Sequence, residues 1–158
     1  MEHLGECIAY FQHIDQALNM CITDLIGCSR KIGKILTSEM SFREKVCVYS
    51  ALCHHSLGTQ KLPDDINKLV RRLNWAEQER NKISHSTWDA SDNLPETVLR
   101  KKTSAKKGLI STMEEHYIPE DLEELRELFE GIITDLFYLT SKHIPKLSGK
   151  YKLPRRLD

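Results

Sequence analysis

Hydrophobic residues recur every three or four positions in four separate parts of the chain, which is the period of an amphipathic α-helix. The first series starts at Leu4, and Gly27 is expected to end its helix. Its members are Leu4, Ile8, Phe11, Ile14, Leu18, Ile22 and Leu25. The basic stretch that follows, from Arg30 to Lys34, is predicted to form a loop or a short turn.

The other three series each follow a helix start signal. Ser41 and Glu44 have the spacing of a capping box and predict a second helix that ends at about Gly58. Pro63, followed by two acidic residues, predicts the start of a third helix, and Pro119 predicts the start of a fourth. Their apolar stripes are Val46, Tyr49 and Leu52; Ile66, Leu69, Val70, Leu73, Ala76 and Ile83; and Leu122, Leu125, Phe129, Ile132, Leu136 and Leu139.

Residues 86–118 lack the helical period and carry the features of a small β-hairpin. Residues 97–103 and 109–113 flank a polar segment, and Gly108 is expected at its turn. The predicted fold class is therefore all-α: a four-to-five-helix up-and-down bundle with a small polar insertion between the third and fourth helices. Residues 1–145 are predicted to form one helical domain, and residues 146–158 a basic, frayed C-terminal tail.

Length and composition are those of one globular domain. The chain has 158 residues, of which 40% are hydrophobic and 29% charged. Lys plus Arg and Asp plus Glu number 23 each, so the overall charge favours neither nucleic acid nor a membrane. No apolar run approaches the length of a membrane span, and the first residues do not resemble a signal peptide. We therefore expect a cytoplasmic protein with no membrane partner.

The five cysteines are expected to be reduced thiols, since they are odd in number and form no Cys-x-x-Cys pair. Cys47, Cys53, His54 and His55 lie close together in the sequence, but their spacing matches no standard zinc site. In a helix Cys47 and Cys53 would also point apart. We expect neither a metal nor a cofactor.

An arginine interrupts the apolar stripe of the third helix. Arg80 lies four residues after Ala76 and three before Ile83, where an apolar residue is expected. His85 follows five residues later, about 140° around an unbroken helix from Arg80. The two side chains would meet only if the helix unwound near Ser84, or if a second subunit brought its own copy.

This segment resembles the Arg-x(4–6)-His motif that the HEPN superfamily carries late in the third helix of its bundles. Asn81 stands where many members have a polar residue after the arginine. The resemblance extends over most of the chain and includes Phe42, Arg43 and Lys45 at the start of the second helix, and His85, Ser86 and Trp88 after the motif. Many members are metal-independent ribonucleases that act as dimers with both motifs lining one cleft. The resemblance implies RNA as substrate and a homodimer.

The residue types suit that chemistry. A histidine can transfer protons at neutral pH, and an arginine can hold a phosphate where charge develops in the transition state. His85 would transfer the proton, Arg80 would bind the phosphate, and Asn81 or Ser84 would orient them, leaving a 2′,3′-cyclic phosphate. The residues expected to contact the RNA backbone are Arg100, Lys101, Lys102, Lys106 and Lys107.

Structural alternatives remain open for each of these residues. Arg80 could pair with Glu77 or with an acid of the fourth helix, and His85 could be an ordinary helix C-terminal residue. Trp88 is more readily explained as a core or dimer anchor than as a base-stacking platform. The basic insertion could be solvated surface. For the whole chain, the alternative is a non-catalytic HEPN-like module that binds a nucleotide or a protein partner.

Thr87 departs from one branch of the family. In the branch that works as a toxin beside a nucleotidyltransferase antitoxin, a tyrosine lies two residues after the histidine and is modified by the antitoxin. This chain has Thr87 there, so control by tyrosine modification is not expected. A toxin or phage-defence role, with an antitoxin or regulatory protein as partner, follows from the resemblance alone.

Overall fold

Five helices and a small sheet make up the fold. The structure is a computed structural model that describes residues 2–91, 97–147 and 150–151. The helices are α1 (Glu2–Ile26), α2 (Arg30–Ser38), α3 (Phe42–Leu57), α4 (Asp64–Ser84) and α5 (Pro119–His143), followed by a 3₁₀ turn (Pro145–Leu147). The strands β1 (Thr87–Ala90), β2 (Val98–Lys106) and β3 (Leu109–Tyr117) lie between α4 and α5. In the described ranges, no helix is both long and apolar enough to cross a membrane.

The core forms around α1, which contacts each of the other four helices. The four predicted stripes are confirmed with one shift, although Leu52 and Val70 are half-buried at the edge of the core. Ile8 is exposed while its neighbour Cys7 is fully buried, so the stripe of α1 passes through the cysteine instead. The largest fully buried side chains are Tyr49, Phe129, Ile14, Leu18, Ile22, Ile66, Leu69, Leu73, Ile132, Leu136, Ile144 and Val46.

The predicted helix boundaries are set by local capping. The Ser41 hydroxyl accepts a hydrogen bond from the Glu44 backbone N–H, and the Glu44 carboxylate accepts one from the Ser41 N–H at 2.7 Å. Gly58 ends α3 in the left-handed conformation, which glycine adopts without steric cost. The capping box and the glycine stop are therefore confirmed.

The stretch from Arg30 to Lys34 is helical, so its prediction as a loop or short turn was wrong. It forms the first part of α2, where the Ser29 hydroxyl caps the helix by accepting from the Ile32 N–H. Gly33 and Thr37 face inward in this helix. A search for buried aliphatic residues misses such a helix because its inward face carries small residues.

The all-α class was too narrow, because the insertion forms a three-stranded antiparallel sheet in the order β1-β2-β3. The predicted hairpin is present as β2 and β3, with Lys107 and Gly108 both at positive φ in the turn. Strand β1 was not predicted. Its four residues pair with β2 immediately after α4 ends, too short a run for strand periodicity to be evident.

The described part of the C-terminal tail lies against the bundle. Leu147 is buried, and the Lys146 ammonium donates to the Leu25 carbonyl at 2.7 Å. Lys150 and Tyr151 both donate to the buried carboxylate of Asp24 at 2.7 Å. The tail prediction for residues 148–149 and 152–158 lies outside the described residues.

An ion-pair cluster joins the start of α4 to the end of α5 and makes a pH-dependent contribution to stability. Asp65 accepts hydrogen bonds from Lys142 and His143, each at 2.9 Å. Partial burial opposes ionisation, but the bonds from His143 and Lys142 outweigh it and lower the pKa of Asp65 to about 2. A carboxyl group with a lowered pKa stabilises the fold above its unfolded pKa of about 3.9, and the contribution is lost as the pH falls toward 2.

We therefore expect Asp65→Asn to lower the free energy of unfolding by less than about 1 kcal/mol at pH 5, since the pair is partly exposed. The difference from the wild type should narrow at pH 3. Urea unfolding at the two pH values measures it, with exposed Asp64→Asn as the control. An equal difference at both pH values would contradict the assigned pKa.

Candidate active site at the end of α4

Arg80 lies on the inward side of α4 and stacks on an aromatic ring of α1. Its guanidinium carbon is 4.7 Å from the centroid of the Phe11 ring. Phe11 is almost fully buried and is itself packed against Phe42 and Phe129. The aromatic cluster thus holds one face of the guanidinium and limits its movement.

The Arg80 guanidinium does not use all of its hydrogen-bond donors within the described residues. The Arg80 Nε is buried and has no hydrogen-bond partner among the described residues. None of the ion pairs in the described ranges includes Arg80, so neither Glu77 nor an acid of α5 compensates its charge there. A buried donor without a partner is costly, and the positive charge of this guanidinium is left for a bound anion to compensate.

His85 lies just beyond the last residue of α4 and is exposed. Its backbone N–H still donates to the Asn81 carbonyl at 3.0 Å, so the helical path continues up to the histidine. The helix does not unwind before this point, and the angular separation from Arg80 expected from helix geometry remains. Within the described chain, no hydrogen bond joins the two side chains.

The two predicted supporting residues lie on the same helix end. Asn81 is half-buried and Ser84 is exposed. The backbone carbonyl of Asn81 accepts a hydrogen bond from the backbone N–H of His85. No side-chain hydrogen bond from Asn81 or Ser84 to Arg80 or His85 is present in the described ranges, so neither residue orients the pair in a single chain.

The sheet fastens the end of α4. The Trp88 indole N–H donates to the Ile83 carbonyl at 3.0 Å, and its ring packs edge-on against Tyr117 with centroids 5.3 Å apart. The Ser86 hydroxyl donates to the Lys82 carbonyl at 2.6 Å. Trp88 therefore anchors the sheet to the helix, which holds the segment around His85 in place.

Arg100 is a structural residue, unlike the lysines with which the sequence groups it. Its side chain is 3% exposed, donates to the Ser86 hydroxyl at 2.8 Å and pairs with the Glu115 carboxylate. A guanidinium engaged in this way is not free to bind a phosphate. Arg100 consequently leaves the set of residues expected to contact RNA.

The lysines of the hairpin are placed differently from one another. Lys101 pairs with Asp89 at 3.1 Å, whereas Lys102 and Lys107 are exposed. Lys106 is the last residue of β2, and its side chain lies outside the described part. The two exposed lysines follow the motif closely in the chain and are accessible to a partner.

Three of the five cysteines, Cys7, Cys21 and Cys53, contribute to the core. Burial raises the pKa of the Cys7 and Cys53 thiols to about 11 and that of Cys21 to about 12, so these groups stay protonated at neutral pH. Cys53 is buried while Cys47 is exposed, which confirms that the two point apart. Across the described ranges, no group of three or more His, Cys, Asp or Glu side chains is placed to hold a metal ion.

Two features of the site were not predicted. Phe11 is recognisable in the sequence as a core position of α1, but its contact with Arg80 depends on how α1 and α4 pack. Glu115, the partner of Arg100, could have been found from the turn, because a two-residue turn at 107–108 places residues 100 and 115 opposite each other.

Comparison with known proteins gives no further guide. No protein-family model matches this chain, and neither does any curated protein or any solved structure.

Proposed function

We propose that the protein is a metal-independent endoribonuclease of the HEPN type that acts as a homodimer. The observation that carries the proposal is Arg80. Its guanidinium is fixed by Phe11, lacks a carboxylate partner in the described chain and has a buried Nε with no acceptor. A phosphate of RNA held by the terminal nitrogens of the guanidinium would supply the missing negative charge.

In this proposal the two motif residues divide the chemistry. His85 accepts the proton of the ribose 2′-hydroxyl, and Arg80 donates to the non-bridging oxygens of the phosphate as charge develops on them. Attack of the 2′-oxygen on phosphorus breaks the bond to the 5′-oxygen. The products are a 2′,3′-cyclic phosphate and a free 5′-hydroxyl, and a second proton donor protonates the leaving oxygen.

The requirement for a second donor supports a dimer. Arg80 and His85 lie on different sides of the end of α4, and a single chain supplies one histidine to the motif. His85 is exposed and so is available to a cleft shared with a second copy. In such a cleft, one histidine acts as the base and the other as the acid.

The hairpin lysines would hold the RNA backbone outside the cleft. Lys102 and Lys107 are exposed, Lys101 is half-buried beside Asp89, and Lys106 belongs to the same strand. Contacts of this type are independent of RNA sequence and weaken with salt. They would supply affinity, whereas Arg80 and His85 would supply the chemistry.

The test is RNA cleavage in EDTA. We expect purified wild-type protein to cut mixed RNA in the presence of the chelator, and Arg80→Ala and His85→Ala each to reduce the rate by at least about 100-fold. Fragment ends carrying a 2′,3′-cyclic phosphate, identified by mass spectrometry, would support the assigned reaction.

Two matched controls use the same residue types. Arg71 is exposed on α4, and His55 is exposed on α3, so Arg71→Ala and His55→Ala should cut at the wild-type rate. Equal cleavage by all five proteins would identify a contaminating nuclease. Loss of activity only in the presence of EDTA would contradict a metal-independent mechanism.

The alternative is a non-catalytic HEPN-like module that binds a nucleotide or a protein partner. It is favoured by the separation of Arg80 and His85 in the single chain. A folded wild type that leaves RNA intact but binds a nucleotide, with binding lost in Arg80→Ala, would support this alternative over the nuclease.

A toxin or phage-defence role, a cytoplasmic location and an antitoxin or regulatory partner belong to the same proposal. Thr87 leaves no tyrosine two residues after His85 for an antitoxin to modify. If the protein is a toxic ribonuclease, expression of the wild type should slow growth of the host cell, and expression of His85→Ala should not.

A further inference from the structure

Helix α2 turns its large aliphatic residues outward. Ile32, Ile35 and Leu36 are 51%, 64% and 45% exposed, whereas Gly33 and Thr37 are buried against the bundle. A surface helix of a globular protein ordinarily has the reverse arrangement, with its aliphatic side chains directed to the core. The outward face of α2 is therefore a feature that the fold itself does not use.

Close packing between α1 and α2 determines this orientation. A Cβ atom at Gly33 would overlap the Thr23 side chain, so the contact requires glycine at this position. The Thr37 hydroxyl donates to the Gly33 carbonyl at 3.0 Å, so this buried hydroxyl has a hydrogen-bond partner within its own helix. With glycine and threonine directed inward, the helical period directs the isoleucines and the leucine outward.

Two apolar residues of the adjacent helix α1 are also exposed. Ile26 is 44% exposed at the end of α1, and Met20 is 38% exposed six residues earlier, about 120° around the helix. Arg30 of α2 donates to the Met20 carbonyl, which brings the start of α2 beside this part of α1. We call the outward surface of α2 the α2 face; it consists of Ile32, Ile35 and Leu36.

Exposed cations lie on the same helix as the α2 face, and one exposed acid, Glu39, directly follows that helix. Arg30, Lys31 and Lys34 are exposed on α2 itself, and Lys150 lies nearby because it shares the Asp24 carboxylate with Arg30. Asp24 is buried by these partners. Helix α2 itself contains three cations and no acid, whereas the first half of α5 is acidic, so the even overall charge conceals local differences.

We propose that the α2 face binds the surface of a membrane that contains anionic lipids. The aliphatic side chains would enter the interface, and the cations of the same helix would meet the lipid phosphates. Such a contact needs no spanning helix. A second copy on the same face would bring together two helices that each carry three cations and no acid, which like-charge repulsion opposes. Charge complementarity thus favours an anionic lipid surface.

The proposed contact is separate from the nuclease site. Gly33 packs at Thr23, and Arg80 packs at Phe11, twelve residues earlier on α1, or about 18 Å along the helix axis. The two proposals can therefore fail independently of each other.

Vesicle flotation tests the proposal with the full chain. We expect the protein to float with vesicles of equal parts phosphatidylcholine and phosphatidylglycerol, and not with phosphatidylcholine alone. The double variant Lys31→Glu and Lys34→Glu, and separately Ile35→Ser, should lower the bound fraction at least about tenfold, and higher salt should weaken binding. Both variants change exposed residues, and circular dichroism checks that they fold.

The control is another exposed aliphatic residue. Leu109 is 76% exposed at the tip of the hairpin, and Leu109→Ser should bind the anionic vesicles as the wild type does. Absence of binding to these vesicles, equal binding to neutral ones, or equal loss in Leu109→Ser would overturn the proposal. A dimer that is detected by analytical ultracentrifugation and dissociated by Ile35→Ser would also overturn the proposal, because a second copy of the chain would then cover the α2 face.

Discussion

Arg80→Met is expected to stabilise the fold while it abolishes RNA cleavage. Methionine keeps an unbranched side chain of similar reach over the Phe11 ring and can make a favourable sulfur–aromatic contact. It also removes the buried Nε that has no acceptor in the described chain. An unsatisfied buried donor costs about 1–3 kcal/mol, and Arg80 is half-buried, so we expect a gain of about 1 kcal/mol.

Urea unfolding of the wild type and the variant measures this gain, alongside the EDTA cleavage assay. Arg71→Met, on the exposed side of the same helix, should change stability by less than about 0.5 kcal/mol and leave cleavage intact. A loss of more than about 1 kcal/mol in Arg80→Met would mean that the arginine supports the fold. A stabilised but inactive variant is the signature of a residue retained for function at the expense of stability.

Lys45→Met is expected to lower the free energy of unfolding by about 3 kcal/mol. Lys45 is 6% exposed, and its ammonium donates to both oxygens of the Asp15 carboxylate at 2.8 Å. Without it, the described partner of that carboxylate is the Asn19 amide at 3.3 Å. Removing one member of a mostly buried pair leaves the other charge uncompensated, which costs more than the net contribution of the intact pair.

The double variant Lys45→Met and Asp15→Leu separates these two contributions. It should recover most of the loss, because no charge is then left without its partner. Lys61 is exposed, so Lys61→Met is the matched control and should be nearly neutral. If Lys45→Met were no more costly than Lys61→Met in chemical denaturation, the ion pair would contribute little to the fold.

The Lys45–Asp15 pair also bears on the candidate site. Asp15 lies one helical turn after Phe11, and Phe42, three residues before Lys45, packs against the Phe11 ring with centroids 4.7 Å apart. The pair thus ties α3 to α1 beside the ring that supports Arg80. We expect Lys45→Met to reduce cleavage through displacement of Arg80, a positioning effect that the double variant should largely reverse.

The sequence by itself determined the parts of the fold in which burial follows a local period. The stripes of α1, α3, α4 and α5 are evident because one side of each helix faces the core and requires large apolar residues. The capping box at Ser41 and the turn at Gly108 were equally predictable, since both depend on residues adjacent in the chain. The same local reasoning identified Arg80 as an anomaly in its stripe.

Only the tertiary structure decided the features that depend on contacts between distant residues. The stacking of Arg80 on Phe11 and the burial of Arg100 beside Ser86 and Glu115 arise from packing between elements. Helix α2 is the clearest case: its orientation follows from close contact between Gly33 and Thr23, and the aliphatic pattern alone would turn the helix the other way. A periodic sequence specifies which residues share a face, but the partner available to that face determines whether it is buried.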